Sequence, residues 1–277
     1  MNLIELQNVS YRYPLVAKPT IKNLSLKINQ GEVLGLIGAN GAGKTTICNI
    51  IRGFIPGFYK GKLRGEVLFH DKPLDISNLG ALARKIGYSF QNPFTQISGV
   101  KYSVYDEIGY GLENLSVPSE EANNRIKKII NLFGLENIEN KNPYNLSGGQ
   151  KQMVALASVI VLNPELIILD EPTSQLDPSS SRAIFNIVKM LKKQGKTILI
   201  VDHKVDLLAQ VCDKIAVINN GQVAISGETR KVFSNKAVVK NGGQIPEVAR
   251  FFLKLFPKAE EVPVSVDEAY QLLKVQK

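Results

Sequence analysis

The chain has 277 residues, 44% hydrophobic and 21% charged, enough for one large domain with a small appendage, and a composition that excludes collagen-like or wholly disordered classes. Lys and Arg number 34 against 25 Asp and Glu. The resulting +9 suits nucleic acid, an anionic membrane face or an anionic ligand, and equally a basic protein with no such partner, since the basic residues are scattered and pairs such as Lys127-Lys128 and Lys192-Lys193 read as solvated helix faces.

The two cysteines, Cys48 and Cys212, lie far apart, with no disulfide framework and no metal-ligand spacing, which fits a reducing, cytosolic compartment. The opening MNLIELQNVSYRYP is not expected to be a secretory leader, because Glu5 and other polar residues interrupt its apolar run. The longest apolar stretch, Val154 to Leu162, is broken by Ser158 and too short to span a bilayer. Any membrane role is therefore expected from the aqueous side.

In chain order, Glu5 to Val9 and Leu24 to Ile28 alternate apolar and polar, as half-buried antiparallel strands near an edge do. Val33 to Ile37 (VLGLI) is continuously apolar, like a central parallel strand. A helix is expected over Thr45 to Ile55, and a strand before Gln91. From about 95 to 163 the chain lacks a clear parallel strand and reads as an inserted helical lobe, with helices over Glu120 to Phe133 and Gly149 to Leu162. Leu166 to Leu169, Thr197 to Val201 and Ile215 to Ile218 repeat the buried-strand pattern. Asp177-Pro178 opens a helix over Ser179 to Lys193, and Val223 to Ile225 pairs back after the turn Asn220-Gly221. Beyond about 228 the pattern changes. Pro246 opens a helix with Val248, Phe252 and Leu255 expected on one face, and another helix is expected near Asp267 to Val275. Buried strands alternating with helices give an α/β fold with a largely parallel sheet.

Gly38 to Thr45 reads GANGAGKT, the G-x-x-x-x-G-K-[ST] phosphate loop, between a strand and a helix as that loop requires. Glycines such as Gly38, Gly41 and Gly43 let the backbone curl so that successive N–H groups, Asn40 and Thr46 included, aim at oxygen anions. The following helix adds its positive dipole end. Lys44 is a point charge for the β- and γ-phosphates, and the Thr45 hydroxyl is a ligand for Mg²⁺. Leu166 to Glu171 is a hydrophobic strand ending in two carboxylates, at the edge where open parallel sheets bind ligands. Asp170 is expected to hold Mg²⁺, through water, and Glu171 to act as general base toward the attacking water. Alone, such a pair reads more readily as a plain helix N-cap; the phosphate loop upstream reverses that reading.

Leu146-Ser147-Gly148-Gly149-Gln150, a hydroxyl and two glycines opening a helix, reads in isolation more readily as a flexible Ser-Gly helix cap than as a second anion cradle; its place about 20 residues before the two carboxylates favours the cradle. It resembles in full the LSGGQ signature of the ATP-binding-cassette (ABC) ATPases. The other cassette motifs follow in order. Tyr13 stands where that family has the aromatic that stacks on adenine, with Tyr11 a weaker candidate. Gln91 resembles the Q-loop glutamine that touches Mg²⁺ or the lytic water. Ser174 to Asp177 resembles the D-loop, with Gln175 where the family often has Gly or Ala. His203 resembles the switch histidine at the γ-phosphate. The resemblance covers residues 1 to about 228. It implies a P-loop NTPase (RecA-like) sheet core with antiparallel edge strands and an inserted helical lobe over about 95–163; the helices read from the pattern beyond 228 make a C-terminal helical extension over 229–277. It further implies ATP and Mg²⁺ as cofactors and a head-to-tail dimer, with the chain itself or a paralogue, in which each nucleotide lies between the loop of one subunit and Ser147 to Gln150 of the other.

Phe90 to Gln96 (FQNPFTQ), Ser103 to Glu121 and Ile245 to Phe256 resemble, more loosely, the ATPases of energy-coupling-factor (ECF) importers of vitamins and metal ions. That group implies a transmembrane scaffold (T) subunit docking around Gln91 to Leu115, a substrate-binding membrane (S) subunit, a place on the cytoplasmic face of the membrane, and C-terminal tails that pack the two ATPase subunits together; the alternative for the tail is that Val248, Phe252 and Leu255 dock on their own domain. The alternatives are another ABC transporter class, or a soluble cassette ATPase acting on nucleic acid or ribosomes. The second is disfavoured because the chain has neither a long coiled coil nor a second cassette, so no nucleic acid is expected. A catalytically dead regulator is disfavoured because Lys44, Asp170, Glu171 and His203 are intact.

Overall fold

The computed structural model describes residues 1–275. In chain order the elements are β1 (Asn2–Arg12), β2 (Ile21–Asn29), β3 (Val33–Ile37), α1 (Lys44–Ile51), the single turn α2 (Phe54–Gly57), β4 (Lys62–Phe69), β5 (Lys72–Pro73), α3 (Leu79–Lys85) and β6 (Ile86–Ser89). Three helices follow without a strand: α4 (Val104–Asn114), α5 (Ser119–Phe133) and α6 (Gly148–Ile160). Then come β7 (Leu166–Asp170), α7 (Pro178–Lys193), β8 (Thr197–Val201), α8 (Val205–Val211), β9 (Lys214–Asn219) and β10 (Gln222–Glu228). The chain closes with α9 (Thr229–Ser234), α10 (Ala237–Lys240), α11 (Glu247–Leu255) and α12 (Val266–Val275).

The strands form two sheets. One runs β10-β9-β3-β8-β7-β6; β3, β6, β7, β8 and β9 are parallel, and β10 is an antiparallel edge strand hairpinned to β9. The other is antiparallel, β2-β1-β4-β5. The alternation in β1 and β2 thus marks a sheet of their own, with one face on the core and the other wet. Strand β4 (KLRGEVLF) buries little beyond Phe69, so its hydropathy carries almost no signal.

β3, β7 and β8 are buried along their whole length, as continuous apolar runs demand. Successive residues serve opposite faces. Ile167, Leu169, Ile198 and Ile200 pack against α4 to α8, while Leu166, Ile168, Leu199 and Val201 pack against α1 and the antiparallel sheet. Burying each such Leu or Ile contributes about 1.5–3 kcal/mol, so the two-sided sheet is a rigid base for the loops at its C-terminal edge.

Two expectations shift. The helix after the phosphate loop ends at Ile51 rather than Ile55, because Gly53 takes a left-handed φ of 76° that stops the helix. In α11 the buried face is Ala249, Phe252 and Leu253, whereas Leu255 stays 49% exposed. The face is turned because α11 packs against α9 and α12, an arrangement the local pattern does not encode.

Candidate functional site

The polar side chains of Lys44, Thr45, Gln91, Asp170, Glu171 and His203 converge at the C-terminal edge of the parallel sheet, where β3, β6, β7 and β8 all end. β3 delivers the phosphate loop. Gly38 sits at φ 146°, and a Cβ there would lie 2.1 Å from the Ile218 carbonyl oxygen of β9, so only glycine fits. Gly43, at φ 107°, precedes α1 without any side-chain cap, which leaves the first N–H groups of that helix to face the loop's cavity.

Lys44 folds back over the loop. Its Nζ donates to the carbonyls of Gly38 (2.9 Å) and Ala39 (3.0 Å). Burial pushes the ammonium's pKa down, against the opposing pull of the Glu171 and Asp170 charges. Thr45 turns its hydroxyl to Asp170, donating to Oδ1 at 3.3 Å. Asp170, at the end of β7, is 3% exposed and accepts at Oδ2 from the Tyr88 hydroxyl at 2.7 Å. Burial raises its pKa, and the Tyr88 and Thr45 hydrogen bonds act in the opposite sense.

Glu171 is next in the chain but faces elsewhere. Its φ of 51° is the left-handed region, and its N–H donates to Val201 of β8 at 2.8 Å, so the backbone turns sharply at this residue. The turn sets the carboxylate between two partners: Gln91 Nε2 donates to Oε2 at 2.6 Å, and His203 Nε2 lies 3.2 Å from Oε1. Gln91 arrives just beyond β6 and His203 just beyond β8. Under His203, Asp202 is buried and accepts from Thr173 Oγ1 at 2.7 Å and from the Lys204 N–H at 2.9 Å, which ties the loop after β8 to the loop after β7.

These groups border a cavity of about 410 Å³. Its lining includes Asn40, Gly41, Gly43, Lys44, Thr45, Thr46, Gln91, Glu171 and His203, all expected from the sequence, and also Thr20, for which the sequence carries no motif signal. Tyr13 lies beside it, its hydroxyl 3.2 Å from Thr46 Oγ1. Tyr11 is not a stacking platform: it is fully buried, with its hydroxyl donating to the Lys60 carbonyl at 2.9 Å. Tyr88 has no counterpart among the expected residues; its place one residue before Ser89 at the end of a parallel strand is the one cue to it.

Two expected groups stay apart from the cavity. Ser147 to Gln150 begin α6 and do not line it. Ser147 and Gln150 form a reciprocal capping box, with Oγ accepting from the Gln150 N–H at 3.3 Å and Gln150 Oε1 accepting from the Ser147 N–H at 3.0 Å. Gly149 abuts α7, where a Cβ would meet Ser180 Oγ at 2.6 Å. Asp177 is the N-cap of α7, accepting from the N–H groups of Ser179 (2.8 Å) and Ser180 (3.0 Å), and the Ser180 hydroxyl holds its pKa below the usual carboxylate value. Ser147, Gly148 and Asp177 are exposed and Gly149 and Gln150 half-buried, so these two helix ends present a surface of their own.

Residues 21–174 match the family described as ABC transporter. The energy-coupling factor transporter ATP-binding protein EcfA of Methanocaldococcus jannaschii is 34% identical over 267 residues, covering 95% of this chain and 92% of that protein. The structure of cbiO1 from Clostridium perfringens, described as part of the ABC transporter complex cbiONQ, superposes with a TM-score of 0.76 at 32% identity, over 86% of this chain and 93% of that one. A dimeric ATP-binding cassette in a post-hydrolysis state, bound to ADP and Pi, gives a TM-score of 0.71 at 28% identity, over 82% of this chain and 99% of that one. With a phosphate loop, two strand-end carboxylates and a partnered histidine gathered at one sheet edge, the chain belongs to the ABC transporter family and is an ATP-binding, ATP-hydrolysing cassette.

Proposed function

We propose that this chain is the ATPase subunit of an ECF-type importer, powering uptake of a vitamin or transition-metal ion, with Glu171 as the general base. The observation that carries the chemistry is the Glu171 carboxylate held between Gln91 and His203, at 2.6 and 3.2 Å, at the mouth of the phosphate-loop cavity. A base needs a fixed position first and a suitable protonation state second, and two partners supply the position. Lys44 and the N–H groups of residues 40 to 46 bind the β- and γ-phosphates, Tyr13 stacks on the adenine, and His203 contacts the γ-phosphate. Thr45 and Asp170 offer hard oxygen donors that fit Mg²⁺, and the Gln91 side-chain carbonyl is a third. When bound, that ion neutralises charge on the transferring phosphoryl group.

Efficient hydrolysis takes two subunits. Ser147 to Gln150 and Asp177, at the surface and away from their own cavity, close the cavity of a second copy or a paralogue in a head-to-tail dimer. Residues 1–228 form the nucleotide-binding unit, and the 229–277 extension contributes to the contact between subunits; its exposed Phe251, Leu255 and Tyr270 support this. Among the described residues no helix is long and apolar enough to cross a membrane. Coupling to transport therefore runs through a transmembrane T subunit seated around Gln91 to Leu115, with an S subunit selecting the substrate, and the chain works at the cytoplasmic face of the membrane. The likeness to an ECF ATP-binding protein and to a member of the cbiONQ complex supports this assignment over action on nucleic acid.

The test is expression of the tagged chain with its native operon. Membrane proteins of the T and S type should co-purify, and Glu171→Gln should bind ATP, accumulate as a closed dimer and hydrolyse roughly 10²- to 10⁴-fold more slowly. Recovery solely with nucleic acid would overturn the transport assignment, and wild-type turnover by Glu171→Gln would overturn the base.

A further inference from the structure

Asp170 is held from behind. Its Oδ2 accepts the 2.7 Å hydrogen bond from Tyr88, which leaves Oδ1 as the oxygen shared with Thr45. Tyr88 comes from β6, the strand beside β7, where it is paired with Ile168, two residues short of Asp170. Tyr88 is itself clamped. The guanidinium carbon of Arg52 lies 3.7 Å from the centroid of the Tyr88 ring and 3.7 Å from that of Phe54, so the cation is flanked by two aromatic rings. Arg52 is 7% exposed, and its Nε donates to Asn49 Oδ1 at 2.9 Å. Phe90 meets the Tyr88 ring edge-on, with centroids 5.0 Å apart.

Burying a guanidinium is costly, and here ring faces and one amide oxygen offset the cost. The arrangement also has a directional effect. A cation over the ring draws electron density from the phenol and makes its O–H a stronger donor to a carboxylate. A short aspartate side chain otherwise rotates about its last bond; anchoring Oδ2 removes that freedom.

We propose that Tyr88, clamped by Arg52, is a positioning residue that orients Asp170 so that Oδ1 and the Thr45 hydroxyl face bound Mg²⁺-nucleotide. The proposal rests on the assignment of Asp170 to Mg²⁺ above. It links the strand that leads into Gln91 to the metal-facing carboxylate through one hydroxyl.

The experiment is a Mg²⁺ titration of fluorescent ATP-analogue binding to the full-length protein, alongside binding in EDTA and a thermal melt. Tyr88→Phe keeps the ring stack and removes only the donor. It should raise the Mg²⁺ concentration for half-maximal binding about 10-fold, with binding in EDTA unchanged. Arg52→Lys keeps the charge but loses the planar stack; it should shift the titration less, in the same direction, and add nothing to Tyr88→Phe. Asp170→Asn should abolish the Mg²⁺ dependence. A Tyr88→Phe protein with a lowered melting temperature and a wild-type Mg²⁺ titration would make the hydroxyl merely structural and overturn the proposal. A wild-type titration in folded Arg52→Lys would overturn the clamp, and serves as the measurement if Tyr88→Phe does not fold. A wild-type titration for Asp170→Asn would instead overturn the metal assignment beneath it.

Discussion

Gln91 Nε2 donates to Glu171 Oε2 at 2.6 Å, joining the loop after β6 to the loop after β7 across the mouth of the phosphate cavity. Gln91 is exposed, and of the two partners of the Glu171 carboxylate it makes the shorter contact, His203 Nε2 lying at 3.2 Å. Gln91→Ala should therefore leave Glu171 chemically intact but loosely aimed, lowering kcat roughly 10- to 100-fold with little change in KM for ATP. Gln91→Glu should do worse, because two carboxylates at that distance repel or share a proton. Steady-state ATPase assays check both; an effect confined to KM would make Gln91 a binding group.

Ser147→Arg tests the two-subunit site. The Ser147 hydroxyl is already used by its own helix cap, and the residue lies outside its own cavity. A long cation there should cripple hydrolysis and ATP-dependent dimerisation while the dilute monomer keeps its nucleotide affinity. Equilibrium binding at low protein concentration gives the readout, and lost monomer affinity would contradict assembly in trans.

Thr173 and Asp202 form a buried pair at 2.7 Å beneath Glu171 and His203. Thr173→Val removes the donor and leaves a buried carboxylate oxygen unpaired. The expected cost is about 1–3 kcal/mol of stability by urea denaturation. Turnover should fall as well, since both neighbouring loops lean on this pair. Unchanged stability would mean that the Lys204 N–H bond suffices for Asp202.

The C-terminal helices carry a pH-sensitive clasp. Glu268 accepts both guanidinium N–H groups of Arg230 at 2.8 Å and the Val264 N–H at 2.9 Å. The Arg230 hydrogen bond holds the Glu268 pKa below its ordinary value of 4.5. A depressed carboxylate stabilises the fold above its unfolded pKa, and that contribution is lost as pH falls through the lower folded value. Both side chains are more than a third exposed, so the pair is worth about 1 kcal/mol or less. Glu268→Gln should speed amide exchange in α12 at neutral pH, and the difference from wild type should start to shrink as pH falls below about 4.5 and vanish once it has passed the lower folded value. Equal exchange at pH 7 would show that apolar packing alone docks α12.

The sequence by itself determined the phosphate loop, the strand-end carboxylates of β7, the signature cap at Ser147 and the parallel core. Each is a local instruction: a buried run ends, a glycine or a carboxylate follows, and backbone geometry does the rest. Ser147 even satisfies its own cap within four residues. The tertiary structure alone decided what crosses between strands. Tyr88 reaches Asp170 over 82 positions, Thr173 reaches Asp202 over 29, and the buried face of α11 is turned by α9 and α12. Such contacts depend on strand order and on helices docking from elsewhere in the chain, and neither leaves a periodicity in the residues that make them.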